Sequence, residues 1–353
     1  MACVTLQQIA RRVGADHGTV SRVLNGKAAR FRISEALAER VRGVARRLGY
    51  VPNVSARTVR SGRFNCAALL LSTVAAESWL PPKLLDGIHD EMAEADMHLV
   101  VAKMPDEGPG GEKTMPKALR TLMADGLIIN YTHQMPPHLI AAVERRSLPA
   151  VWINTKRKSD AVYPNNRAAA REATRKLLEA GHRRIAYLDP WEPRRPGVHF
   201  SRIDRAAGYK EVMREAGLPP RELHADATPA TAEGRERLIL GILRRPDRPT
   251  AELCYWYHMM PSLFRAAAAL GLSVPKDLSI VTFAGEAFEP ADFRVSAMLE
   301  PEYEMGREAV RMLRTHIETA PAAMPSRALD FVWVDHGTCV RPVSVENGRR
   351  RAC

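Results

Sequence analysis

The sequence predicts an α/β protein in two parts, a small helical headpiece carrying a helix-turn-helix and a larger core of two parallel-sheet lobes. Three observations predict it. Apolar residues recur at helical spacing through residues 6–48, and no proline occurs before Pro52 although the chain contains 25. From Asn65 onward short apolar runs alternate with helical stripes, the pattern of strands joined by crossover helices. The charge is also uneven: residues 1–63 hold 13 Lys+Arg against Asp16, Glu35 and Glu39, a net of +10 out of +12 for all 353 residues. A basic excess gathered on one small module is an electrostatic footprint for a polyanion, nucleic acid first among them.

The headpiece is organised around LQQIARRVGADHGTVSRVLNG, residues 6–26. Leu6, Ile9, Ala10 and Val13 form one apolar stripe, and Thr5 with Gln8 makes a capping-box pattern that satisfies free N–H groups at the helix start. Gly14 stops this helix and Asp16 can cap the next. There Val20, Val23 and Leu24 share one face, while His17, Gly18, Ser21, Arg22 and Asn25 point away and suit base edges and phosphates in a major groove. Asn25-Gly26 ends it. A third helix, which Ser34 can cap and Gly49 closes, carries the stripe Leu37, Val41, Val44, Ala45 and Leu48. Pro52-Asn53 then opens a linker, VSARTVRSGR, whose residues 54–60 form a marginal helix on their own because Val54, Thr58 and Val59 are mediocre helix formers.

In the core, strands are expected at 67–72, 98–102, 126–130 and 150–154, with helices near 83–95, 119–124 and 137–146. A second series places strands at 184–188, 251–255 and 279–283 with helices near 166–180, 205–216, 231–244 and 261–270. A helix at 302–318 and a final strand near 328–334 complete the lobes. The acidic string Asp86, Asp90, Glu91, Glu94, Asp96 reads as a solvated helix face, and His182 as a residue that ends a helix.

No apolar run approaches the length of a membrane span. The opening MACVTLQQIA lacks the basic and long apolar regions of a secretory signal, so a cytoplasmic location is expected, with no membrane partner. Cys3, Cys66, Cys254, Cys339 and Cys353 are odd in number and scattered, as reduced thiols would be. No cofactor or metal is expected. GPGGEKT at 108–114 departs from a phosphate loop at Glu112, and no G-x-S-x-G, H-E-x-x-H or metal-spaced Cys/His group occurs.

The runs VTLQQIARRVGADHGTVSRVLNG and RLGYVPNVSARTVRSGR resemble the headpiece and hinge of the LacI/GalR family of bacterial transcription regulators. The resemblance continues through NNRAAAREATRKLLEAGHRRIAYL, RAAGYKEVMREAGL, GLSVPKDLSIVTF and EYEMGREAVRML. It implies a type I periplasmic-binding-protein-like core, with the chain crossing between lobes near Tyr163, Val295 and Arg327. The expected domains are 1–51 (headpiece), 52–63 (hinge) and 64–353 (effector-binding and dimerisation), the last with lobe 1 at 64–163 and 296–326 and lobe 2 at 164–295 and 327–353. The DNA-contacting residues implied are Thr5, Leu6, Asp16, His17, Gly18, Thr19, Ser21, Arg22 and Asn25, and in the hinge Asn53, Ala56, Arg57, Val59 and Arg60. In the family an apolar hinge residue wedges into the minor groove; the matching Val59 is smaller than the usual leucine. Three extra residues also lie within KAARFRI, between Gly26 and Ser34, as a longer basic turn.

The cleft departs from the family. Where sugar-binding members carry an Asn-Asp pair this chain has Trp256 and Tyr257, where they carry Asp-Asp it has Ala284-Gly285, and Asn165 replaces another aspartate. Arg205 matches the family's cleft arginine and Ser201 a frequent contact. Two readings stay open: a planar or anionic ligand bound by Asn165, Ser201, Arg205, Trp256, Tyr257 and Ala284, or aromatics that fill the cleft of a protein without a small effector. The function expected is a homodimeric, sequence-specific regulator on a palindromic DNA operator, a repressor as most of the family are. A ligand-independent or architectural DNA-binding protein, a solute receptor and an enzyme are the rivals, and no catalytic constellation supports the last.

Overall fold

The computed structural model describes residues 4–50, 63–73, 78–104, 124–132, 148–189, 198–224, 231–285 and 294–343, with isolated positions between them. The hinge residues Asn53, Ala56, Arg57, Val59 and Arg60 and the segment GPGGEKT lie outside the described residues, as do the helix expected near 119–124 except for Ala124 and most of the helix expected near 137–146. The chain divides into two compact units, Met1–Phe64 and Asn65–Cys353.

In the first unit three helices, α1 (Leu6–Val13), α2 (His17–Leu24) and α3 (Glu35–Leu48), enclose one core of Ile9, Ala10, Val13, Val20, Val23, Ala28, Ala38, Val41, Val44 and Ala45. The caps follow local chemistry. The Thr5 N–H donates to Gln8 Oε1 at 2.9 Å and the Gln8 N–H to Thr5 Oγ1 at 3.3 Å, both halves of the capping box. Gly14 and Gly49 close α1 and α3 in the left-handed conformation, at φ 64° and 66°. Arg40 donates to the Val13 carbonyl at 2.6 Å, so α3 holds the open C-terminal end of α1. Ser34 occupies the N-cap of α3 but makes no capping hydrogen bond, contrary to expectation.

The second unit contains two six-stranded sheets. The first runs β11-β5-β4-β3-β1-β2, from β1 (Cys66–Ser72), β2 (His98–Met104), β3 (Gly126–Asn130), β4 (Ala150–Ile153), β5 (Ala161–Pro164) and β11 (Arg327–Leu329). The second runs β12-β10-β9-β8-β6-β7, from β6 (Ile185–Leu188), β7 (Glu222–Leu223), β8 (Ala251–Cys254), β9 (Ser279–Gly285), β10 (Ser296–Glu300) and β12 (Val332–Val334). All neighbours are parallel except β12, which runs antiparallel to β10. Central strands such as β1 and β9 are buried along their whole length, as a sheet covered on both faces requires. The continuous α-helices among the described residues are α4 (Pro82–Glu94), α5 (Asn166–Glu179), α6 (Phe200–Glu215), α7 (Ala232–Leu243), α8 (Met260–Ala269) and α9 (Glu302–Thr319).

Two expectations are corrected here. Residues 328–334 are not one strand: 327–329 pairs with β5 and 332–334 with β10, so the chain changes sheets at Asp330-Phe331. Ser296–Glu300, read as the start of the first lobe's return segment, is a strand of the second sheet, and the return crossing falls after Glu300 rather than near Val295. The crossings thus lie at Asn165, Pro301 and Asp330-Phe331. The Asn165 N–H donates to the Leu329 carbonyl at 2.7 Å and its side-chain amide to Asp330 Oδ1 at 2.8 Å, tying two of them together.

The acidic string on α4 is also not a simple solvated face. Glu91 is 4% exposed and accepts from Arg307 at 2.8 Å and Arg311 at 3.0 Å, both on α9, while Glu94 accepts from Arg307. These ion pairs flank a helix crossing so close that a Cβ on Gly306 would lie 2.4 Å from the Leu84 carbonyl oxygen.

Candidate DNA-reading surface and effector cleft

On α2 the N-cap Asp16 accepts the Thr19 N–H at 2.9 Å and also the Thr19 hydroxyl, and these bonds hold its carboxyl below the usual range. Asp16, His17 and Arg22 are exposed and Gly18 and Thr19 half-exposed, on the side of the helix away from Val20 and Val23. Thr5 is exposed and Leu6 half-buried at the head of α1. Ser21, expected to face outward, is only 7% exposed. It lies at the margin of the buried face, and the Asn25 amide one turn on folds back over it, donating to the Ser21 carbonyl at 2.7 Å and to its hydroxyl at 3.3 Å. Asn25 is exposed but spends its amide on that local bond. The KAARFRI segment forms a short 3-10 turn at Ala29–Phe31, with Lys27, Arg30 and Arg32 exposed beside α2. This face is therefore a row of cationic and hydrogen-bonding groups around a capped helix N-terminus, the chemistry that meets phosphates and base edges.

In the second unit a cavity of about 530 Å³ lies among the described residues between the two sheets' connecting loops. Ser201, Arg205 and Trp256 line it as expected. The helix α6 begins at Phe200, five residues before the predicted start, which places Ser201 and Arg205 one turn apart on the same face. The Ser201 hydroxyl lies 2.9 Å from the Tyr255 hydroxyl and 2.8 Å from His199 Nδ1, and His199 Nε2 lies 3.1 Å from the Asn154 carbonyl of the other lobe.

Arg205 is 2% exposed. Its guanidinium donates to Asn166 Oδ1 at 2.7 Å, to the Tyr255 carbonyl at 2.8 Å and to Glu300 Oε2 at 3.3 Å. The rings of Tyr255, Trp256, Phe283 and Phe331 surround it at 4.3 to 5.5 Å. A charge that the sequence offered as an open anchor is already paired and caged.

Asn165, Tyr257 and Ala284 do not line the cavity. Asn165 caps α5 and joins the crossings, as above. Ala284 is fully buried in β9, and Tyr257 packs on the core beneath α8, where burial pushes its phenol up. The small residues of the 284–285 pair have a local reason: a Cβ on Gly285 would sit 2.3 Å from Glu302 Oε1, so the carboxylate of the first residue of α9 occupies the space a side chain there would need.

Sequence reasoning missed Trp79, Thr132, Asn154, Trp191, Tyr255, Arg235 and His258, which all line the cavity. They come from the ends of separate strands and from helix starts, so no spacing in the sequence links them. Two carry unused hydrogen-bonding capacity: Asn154 Oδ1 and Arg235 Nε are buried without a partner. Burial and the nearby Arg235 charge lower the His258 pKa, which favours a neutral imidazole in the cavity. Among the described residues no group of His, Cys, Asp and Glu could hold a metal ion, and no helix is long and apolar enough to cross a membrane.

Residues 5–53 match the family model of bacterial regulatory proteins, lacI family, and residues 174–339 match a periplasmic binding protein-like domain. The HTH-type transcriptional repressor CytR of Escherichia coli K12 is 24% identical over 339 residues, covering 95% of this chain and 96% of its own. The HTH-type transcriptional regulator CelR of Thermobifida fusca is 27% identical over 320 residues, 88% of this chain and 90% of its own. The crystal structure of the lac repressor dimer bound to operator and the anti-inducer ONPF superposes with a TM-score of 0.73 at 22% identity, covering 96% of this chain and 100% of that one, and shows the fold. The chain thus carries a lacI-family helix-turn-helix domain followed by a periplasmic-binding-protein-like domain, and the relatives it resembles along most of its length are HTH-type transcriptional repressors and regulators.

Proposed function

We propose that the protein is a sequence-specific repressor that binds a palindromic operator as a homodimer, with α2 in the major groove. The observation that carries this reading is the exposed pair His17 and Arg22 on a capped helix, within a region of net charge +10. Arg22 is the base reader and His17 a second contact, while the buried Ser21 supports the helix. A good bidentate base contact contributes about 1–3 kcal/mol of discrimination. Arg22→Ala is therefore expected to weaken binding to a duplex selected from a random pool about 5- to 150-fold more than binding to unselected duplex. Equal loss on both, read by fluorescence anisotropy at one salt concentration, would reduce Arg22 to a phosphate contact.

The cleft supports a planar ligand with a hydrogen-bond donor and an anionic or acceptor group. Trp79, Trp191 and Trp256 line it, Asn154 Oδ1 is free to accept and Arg235 Nε to donate. A neutral monosaccharide lacks a flat face and needs paired acceptors for each hydroxyl to offset desolvation. In a thermal-shift screen of neutral sugars, sugar phosphates, nucleobases and aromatic carboxylates, hits are expected among the last two classes, and Trp256→Ala is expected to weaken them at least tenfold. Release of the selected duplex by a neutral monosaccharide at micromolar concentration would overturn the ligand class. A screen with no hit would favour a regulator without a small effector.

A further inference from the structure

We infer that Phe31 is a specificity-determining residue that positions Arg22 for the base it reads. The inference rests on the reading of Arg22 as a base contact. The turn after α2 is anchored from below: Ala28 is 5% exposed in the headpiece core, and the Ile33 N–H donates to the Ala28 carbonyl at 3.0 Å. Between those two points the 3-10 turn turns the Phe31 ring outward, 45% exposed, where burial gives it little reason to be aromatic. Its neighbour there is the Arg22 guanidinium, 4.5 Å from the ring centroid.

Gly18 lies one turn before Arg22 on α2. A Cβ built there would come 4.0 Å from Arg22 Cζ, an ordinary contact distance, and 2.9 Å from Asp16 Oδ1, so the guanidinium lies close against the helix and the bare residue 18 spares the cap. The ring contact restricts a long side chain that otherwise loses rotamer freedom on binding. The attraction between a cation and a ring face uses none of the guanidinium's N–H donors, so the planar fork keeps its capacity for a base. The longer turn thus serves as a support built beside the reading helix.

The test uses the full-length protein and a randomised duplex pool, comparing the preferences of the wild type, Phe31→Ala, Phe31→Trp, Arg22→Ala and the Phe31→Ala/Arg22→Ala double variant. Phe31→Ala is expected to relax, by about 2- to 5-fold, the preference at the base pair that Arg22→Ala relaxes. It should leave other positions, unselected-duplex affinity and the headpiece melting temperature unchanged. Phe31→Trp should retain the preference, and in the Arg22→Ala background Phe31→Ala should change nothing further. A uniform loss at all positions, or the same loss with and without Arg22, would overturn the inference in favour of a direct DNA contact by the ring. If Arg22→Ala relaxes no base pair, the reading on which the inference rests fails first.

Discussion

Arg205→Ala is expected to destabilise the 65–353 unit by about 3–5 kcal/mol, because it removes the cation paired with the buried Glu300 carboxylate. Arg205 and Glu300 are 2% and 8% exposed, and the guanidinium also joins the start of α5 through Asn166 to the end of β8 through the Tyr255 carbonyl. One side chain therefore holds three elements at the cleft, and its removal also opens a cavity among four rings. Urea denaturation read by tryptophan fluorescence checks it, and Glu300→Gln in the Arg205→Ala background should recover part of the loss. A change below about 1 kcal/mol would mean that Glu300 reaches water and the pair is not a structural tie. Loss of an effector response in Arg205→Ala reports on folding as well as on binding, which makes Trp256→Ala the cleaner probe of the ligand.

The second large effect is a pH dependence set by Glu252 on β8. Its side chain is fully buried, neither carboxyl oxygen has a hydrogen-bond partner, and burial pushes its pKa up to about 8 against the opposing influence of the Arg221 charge. The folded state therefore binds a proton that the unfolded chain releases near its ordinary value of 4.5, so stability falls as pH rises from there to about 8. Lowering the pH from 8 to 6.5 is expected to gain roughly 1.5 kcal/mol from this group. Glu252→Gln should raise the melting temperature at pH 8 and flatten the dependence; an unchanged slope would mean that the carboxyl is ionised in the fold. His182 acts in the opposite sense at lower pH. Burial lowers its pKa while its ring bridges Thr250 and the Val340 carbonyl, so its contribution is present above about 6.5 and lost below it.

The headpiece was legible residue by residue because its determinants are local. The Thr5–Gln8 box, Gly14, Asp16 and Gly49 each act within one helical turn, and each does in the structure what its chemistry required. Ser21 escaped that logic: helical spacing put it on the outward face, yet the packed headpiece leaves it 7% exposed with the Asn25 amide folded over it. In the core, apolar runs such as 67–72 and 279–283 declared themselves as strands, which the structure extends to Cys66–Ser72 and Ser279–Gly285. Ser296–Glu300 did not, because SAMLE has no strand pattern of its own and gains one by pairing with β9 and β12.

The sequence by itself determined the order of the two units, the concentration of charge on the first, the caps of α1 and α2 and the alternation that yields two parallel sheets. All of these follow from spacing, capping and composition, which act over a few residues. Tertiary structure alone decided the cleft. It turned Arg205 from an open anchor into an internal tie, moved Asn165 to the crossing, placed Glu302 where a residue 285 side chain would go, and brought Trp79, Asn154, Trp191 and Arg235 together from distant segments. It also set the Phe31 ring against Arg22, nine positions along the chain. The physical reason is the same in each case: whether a polar or aromatic side chain is free for a ligand depends on which partners surround it once the chain has packed, and those partners lie beyond the reach of any local pattern.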